Sequence, residues 1–256
     1  MSLRWRVTAT FVALGGLAGF VVQKFVLQPL TFRIEPVWLS LAAALLALGL
    51  FAAAPFLLFR WLTRGLRPRP ATFAVTGGAF VAPVSPEHFG LQAIGAALVA
   101  GQLLPVERMP DTDRVRLSTL PGFVEIAMTM TVVLMVLGLA ILWLSRPEVT
   151  LTPAGITLRQ LPRSRTVAWD DLLPGGPHTP TGQTMRLLRR TPAGRPKRLA
   201  VLVGRSHIDR AFLSSVIRHY VERPEHRADI GTPEELDRLE AAYSAWRASV
   251  APAGQR

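Results

Sequence analysis

Long apolar runs without charge constrain this chain more than anything else in it. Residues 37–59 and 126–145 contain no Asp, Glu, Lys or Arg, and a helix of about 20 apolar residues crosses a hydrocarbon core roughly 30 Å thick. The chain therefore reads as an integral membrane protein. Half of its residues are hydrophobic but 18% are charged, too many for a protein wholly in lipid, so a membrane part and a polar part coexist. The absence of cysteine excludes disulfides, thiolate catalysis and cysteine metal sites. Lys24 and Lys197 are the two lysines among 29 basic residues, a composition typical of a GC-rich bacterial genome, which points to a bacterial cytoplasmic (inner) membrane.

The runs can be ordered by their flanks. Residues 7–27 follow Arg4 and Arg6 and outlast the apolar core of a signal peptide, and no small-x-small cleavage site precedes Gln28. An uncleaved first span is expected, with Lys24 snorkelling to the far interface. The second span, 37–59, opens at Pro36 and Trp38, is kinked near its end by Pro55, and closes at Arg60. A further strong run covers 123–144, with Glu125 in its first turn.

Three spans would put the two ends on opposite sides. The arginine groups (Arg4 and Arg6; Arg60, Arg64, Arg67 and Arg69; Arg146) all belong in the cytoplasm by the positive-inside rule. A fourth crossing is therefore expected at 89–104, where Ala93, Ala97 and Gly101 recur at the four-residue spacing that lets helices approach closely. Its sixteen uncharged residues also suit a buried or interfacial helix. With four spans both termini are cytoplasmic and only 28–36 and 105–122 lie outside.

After Arg146 the period changes. Residues 149–158 alternate about a Pro153-Ala154-Gly155 turn, 165–169 continue as a third strand, 173–183 read as loop, and 185–190 with 199–203 form another pair. Ile208, Phe212, Val216 and Tyr220 fall one helical turn apart. A last helix opens at Thr232, Pro233, Glu234 and Glu235, a cap, a first-position proline and two acids.

The words LTPAGI at 151–156, VAWDDL at 167–172, YVERPEHR at 220–227 and IGTPEEL at 230–236 resemble the bacterial PH-like (pleckstrin-homology-like) domains of actinobacterial-type membrane proteins. The resemblance covers roughly residues 146–240. It implies a twisted antiparallel sheet capped by a C-terminal helix and attached to transmembrane helices, and it implies little about activity. The basic first loop of phosphoinositide-binding PH domains is not matched by 153–155. Only about five strands follow Arg146, against seven in a full PH sheet. The missing pair is sought in TFAVTGGAFVA at 72–82, a hairpin pattern about Gly77 and Gly78, with Phe73, Val75 and Phe80 as core residues.

The expected organisation is a four-helix transmembrane region with a cytoplasmic α+β module. Residues 1–69 hold two transmembrane helices (about 7–27 and 37–59), 70–86 a cytoplasmic hairpin, and 87–145 two more (about 89–104 and 123–144). Residues 146–223 form the PH-like β domain with its closing helix, and 224–256 a C-terminal helix and tail.

Motifs for chemistry are sparse. Asp170 and Asp171 end a strand, where successive side chains point to opposite faces and cannot converge on one ion. His88, His178, His207, His219 and His226 show no ligand spacing. No phosphate loop or nucleophile elbow is present, so neither an enzyme nor a cofactor or metal is expected. Residues 146–227 carry fifteen Arg or Lys against six Asp or Glu, and Arg186, Arg189, Arg190, Arg195, Lys197 and Arg198 crowd one hairpin. Beside an anionic bilayer such density fits anionic lipid headgroups better than nucleic acid. Docking to a membrane-protein partner, as a subunit or scaffold of a transport or cell-envelope assembly, is the alternative.

Overall fold

The computed structural model describes residues 1–66, 68–109, 115–120, 122–147, 149–160, 163–177, 182–191 and 195–250. In chain order the elements are α1 (Leu3–Val22), a π turn (Gln23–Leu27), α2 (Gln28–Thr31), α3 (Val37–Leu62), β1 (Ala74–Thr76), β2 (Ala79–Val81), α4 (Pro86–Gln102), β3 (Val106–Arg108), β4 (Val115–Leu117), α5 (Phe123–Trp143), β5 (Val149–Thr152), β6 (Gly155–Gln160), β7 (Arg163–Ala168), β8 (Thr184–Arg190), β9 (Pro196–Leu202), α6 (Arg210–Glu222) and α7 (Pro233–Val250), with short 3-10 turns between some of them. They form two compact units, each built from two separate stretches of chain: Met1–Arg67 with Pro86–Ser145, and Pro68–Ser85 with Arg146–Arg256.

The first unit is helical. Three of its described helical stretches, Leu3–Thr31, Val37–Leu62 and Phe123–Trp143, are long and apolar enough to cross a membrane. α4 is shorter, at 17 residues, and is enclosed by α1, α3 and α5, with Ile94, Ala97 and Ala100 fully buried. Close approach requires its small residues: a Cβ on Gly90 would stand 2.2 Å from the Phe59 ring, and one on Gly101 would meet Phe20 at 2.9 Å. Because neighbouring helices cover it, α4 needs less apolar surface than α3.

Contacts at the helix ends fix the directions. The Arg6 guanidinium donates to the carbonyls of Trp143 and Ser145, which joins the start of α1 to the end of α5. Arg60 pairs with Glu87 at 3.7 Å, joining the end of α3 to the start of α4. Lys24 Nζ donates to the carbonyls of Gln102 and Leu104 at 2.7 and 2.9 Å. The four long helices thus alternate in direction, and α4 runs from the Arg60 end to the Lys24 end. Lys24 does not snorkel to water as expected: it is 8% exposed and satisfies carbonyls left open where α4 stops. The connection at 105–122 contains the β3–β4 hairpin, where Glu107 accepts from Arg116 and Ser118 at 2.9 and 3.0 Å.

The second unit is a five-stranded antiparallel sheet in the order β1-β2-β5-β6-β7, with a separate β8–β9 pair. β2 joins the sheet through Phe80 opposite Leu151 and Val81 opposite Thr150, so residues 74–81 share a sheet with strands that follow Arg146. Phe73 and Phe80 are buried, stacked with centroids 5.6 Å apart; Val75, expected in the core, stands opposite Phe80 on the same face but is 37% exposed, because β1 is the sheet's edge and all three of its residues are exposed there. The upstream segment is held at both ends. Asp209 N donates to Pro70 O (2.8 Å), His207 N to Pro83 O (2.6 Å) and Ser85 N to Arg205 O (2.8 Å).

α6 closes the sheet with Phe212, Val216 and Tyr220 of the expected stripe, and Ile208, which precedes the helix cap, joins them in the core shared with Leu151, Ile156, Val167 and Trp169. Asp209 caps the helix by accepting from Phe212 N at 2.9 Å, and the same oxygen accepts from Tyr243 OH at 2.9 Å. Burial, then this hydrogen bond, push the Tyr243 phenol up to about 12. Gly231, at φ +93°, lies so close to the β1–β2 turn that a Cβ would stand 2.1 Å from the Gly78 carbonyl carbon.

Candidate functional site

The basic hairpin sorts its charges by the strand period. In β8 and β9 the cross-strand pairs are Met185 with Val201, Leu187 with Leu199 and Arg189 with Lys197 on one face. Arg186 pairs with Ala200, Leu188 with Arg198 and Arg190 with Pro196 on the other. Met185, Leu187 and Val201 are buried, so the first face lies on the core and the second faces outward. Arg186, Arg190 and Arg198 stand there, exposed, beside Ala200 and the 39%-exposed Leu202. Arg195 and Lys197, at the end where β8 passes into β9, are also exposed. Among the described residues none of these five forms an ion pair.

Arg189 differs from its neighbours. Its Nε and Nη2 donate to Asp171 Oδ2 at 3.2 and 2.8 Å, and this pair, with the bond from Leu173 N to Leu188 O at 2.9 Å, docks the hairpin on the segment after β7. Of the six basic residues singled out by sequence, then, five are available and one is structural. Asp170 and Asp171, expected at a strand end, lie instead in the 3-10 turn Trp169–Asp171 that follows β7, and they take different partners. Asp170 accepts from Arg227 Nη1 at 2.7 Å, while Asp171 takes Arg189.

A second polar site escaped the sequence reading. Near the end of α6, His219 Nε2 lies 2.8 Å from His226 Nδ1, and Arg238 Nη2 of α7 is 3.1 Å from both. Arg238 also holds buried Glu235 through two bonds of 2.7 Å, and Glu235 accepts from Tyr220 OH at 2.9 Å. Burial raises the Glu235 carboxyl, and hydrogen bonds from Arg238 and Tyr220 more than offset this, leaving it below the usual carboxylate range. Burial and then Glu235 hold the Tyr220 phenol far above its ordinary value. His219 is lowered, first by burial and then by Arg238, His226 and Arg223. The seven-residue spacing of the two histidines carried the available signal: it places them on one face of a continuing helix, and the 3-10 turn Pro224–Asp229 folds His226 back onto His219. No group of three or more His, Asp or Glu among the described residues could hold a metal ion. His178 lies outside the described residues.

No family model matches the chain, and neither a curated protein nor a solved structure does. The reading of function therefore rests on the geometry alone.

Proposed function

We propose that the protein is a non-catalytic, multi-pass protein of a bacterial cytoplasmic membrane, in which four helices carry a cytoplasmic PH-like module that binds anionic lipid headgroups. The observation that carries the binding role is the outward face of β8–β9, where Arg186, Arg190 and Arg198 stand unpaired beside small and apolar side chains. Arginines reach phosphate oxygens with planar, bidentate geometry, and Leu202 can enter the apolar edge of the headgroup layer.

The PH-like reading is supported by strand count and closure. Two strands before α4 and five after α5 give seven among the described residues, closed by one amphipathic helix. The four-span reading is supported by parity. Residues 74–81 and 149–168 share one sheet, so both lie on one side of the bilayer, and a crossing by α5 then needs a second crossing between them. α4 is the helix that runs from end to end of its unit, and at about 26 Å it comes close to the hydrocarbon thickness.

The test joins residues 68–85 through a flexible linker to 146–250 and measures flotation with vesicles rich in anionic phospholipid. Each arginine at an anionic surface contributes about 1 kcal/mol, so R186Q/R190Q/R198Q should weaken association by about a hundred-fold at low salt. Wild-type binding should fall steeply as salt rises. Association that ignores both salt and these substitutions would remove the lipid reading and favour docking to a protein partner.

A further inference from the structure

We infer that His219, His226 and Arg238 form an acid-sensitive latch that holds α7 and the Pro224–Asp229 turn on α6 while the two imidazoles share a single proton between their facing nitrogens. This inference does not depend on lipid binding.

A hydrogen bond at 2.8 Å between His219 Nε2 and His226 Nδ1 needs one N–H and one lone pair. That lone pair also faces Arg238 Nη2 at 3.1 Å, so the acceptor receives two donors. A proton on both facing nitrogens leaves two N–H groups pointing at each other with a guanidinium beside them, and no acceptor among the three. The rings are stacked with centroids 4.9 Å apart, so the charges would lie nearly in contact.

The surroundings offer little relief. α6 presents Arg223 and α7 presents Arg238, while Glu235 is the acid that opposes them at His219. Glu235 is already committed to Arg238 and Tyr220. On the turn, Arg227 is drawn away to Asp170 and to the Tyr220 carbonyl (2.8 Å), and Asp229 acts on Tyr220. The folded chain therefore binds fewer protons here than the unfolded chain. The latch contributes fully above about pH 6.5, the ordinary histidine value, and its contribution is lost as pH falls below that and through the lowered His219 value.

What the latch joins is local. α7 touches the core through Leu236, Leu239 and Tyr243 and lies along α6, with His219, Leu239, Tyr243 and Trp246 lining a groove of about 310 Å³ between the two helices. Opening the latch frees this C-terminal layer without dismantling the sheet.

The experiment is hydrogen exchange on the full chain in detergent at about pH 7.5 and about pH 5.5, corrected for intrinsic rates. In the wild type, protection over residues 224–250 should fall by about ten-fold or more at the lower pH, while β5 and β6 stay protected. In H219Q/H226N, whose amides keep a donor and an acceptor at the same places but do not titrate, protection should not depend on pH. Equal losses in both proteins, or no loss in the wild type, overturn the latch. If the double variant fails to fold, histidine ring NMR on the unaltered protein decides. A His219 ring still neutral at about pH 6 sustains the inference, and ordinary titration near pH 6.5 overturns it.

Discussion

Single residues close the helical unit at its ends. Lys24 donates to two carbonyls at the end of α4, and a charged hydrogen-bond donor is worth about 1.5–3 kcal/mol. Lys24→Met keeps the length and apolar stem but removes the donor, and should lower stability in detergent by about 2–3 kcal/mol, read as a reduced unfolding midpoint. An unchanged midpoint would mean that water reaches those carbonyls. The sequence showed an isolated cation in an apolar run but not its partners, because a backbone carbonyl carries no residue-type signal. The same holds at the polar cluster. Glu235 and Arg238 are one turn apart and legible as a helix pair, whereas the seven-residue spacing of His219 and His226 hints at a shared face but not at the 3-10 turn that brings them together.

At the scale of elements, the β1–β2 hairpin belongs to the sheet and not to the connection it occupies. Phe80 is fully buried against Leu151 and Phe73, so Phe80→Ala should cost about 3–5 kcal/mol and raise hydrogen exchange in β5 and β6, more than sixty residues away. If exchange rises only in β1 and β2, the hairpin is an ornament. The pairing was legible because both segments show period-two alternation around turn glycines, and because five strands after Arg146 fell short of a closed sheet. Val75 lies outside the core because alternation gives the face it shares with Phe80, and not how far the cover over that face reaches on an edge strand. Arg189 was grouped with its neighbours because charge density along a sequence does not separate the faces of a strand; register does. The β3 and β4 strands, three residues each, are too short for periodicity to register.

For the whole molecule, the central prediction is topological. Reporter fusions after Pro70 and after Met109 should read cytoplasmic and external respectively, following from the shared sheet and the end-to-end course of α4; the same side for both would refute the four-span arrangement. One consequence reaches into biosynthesis. The hairpin at 74–81 leaves the ribosome well before its partner strands, and residues 86–145 must be made before β5 exists. At roughly 5–20 residues per second, Phe73 and Phe80 wait for seconds without their core. If α4 and α5 both cross, as proposed, completion of the sheet depends on their entering the bilayer as a pair. A chain that inserts only one of them strands its two half-sheets on opposite sides, where they cannot meet, and leaves an unpaired edge for quality-control proteases to recognise. In the proposed four-span arrangement the split sheet would make completion of the module depend on membrane insertion.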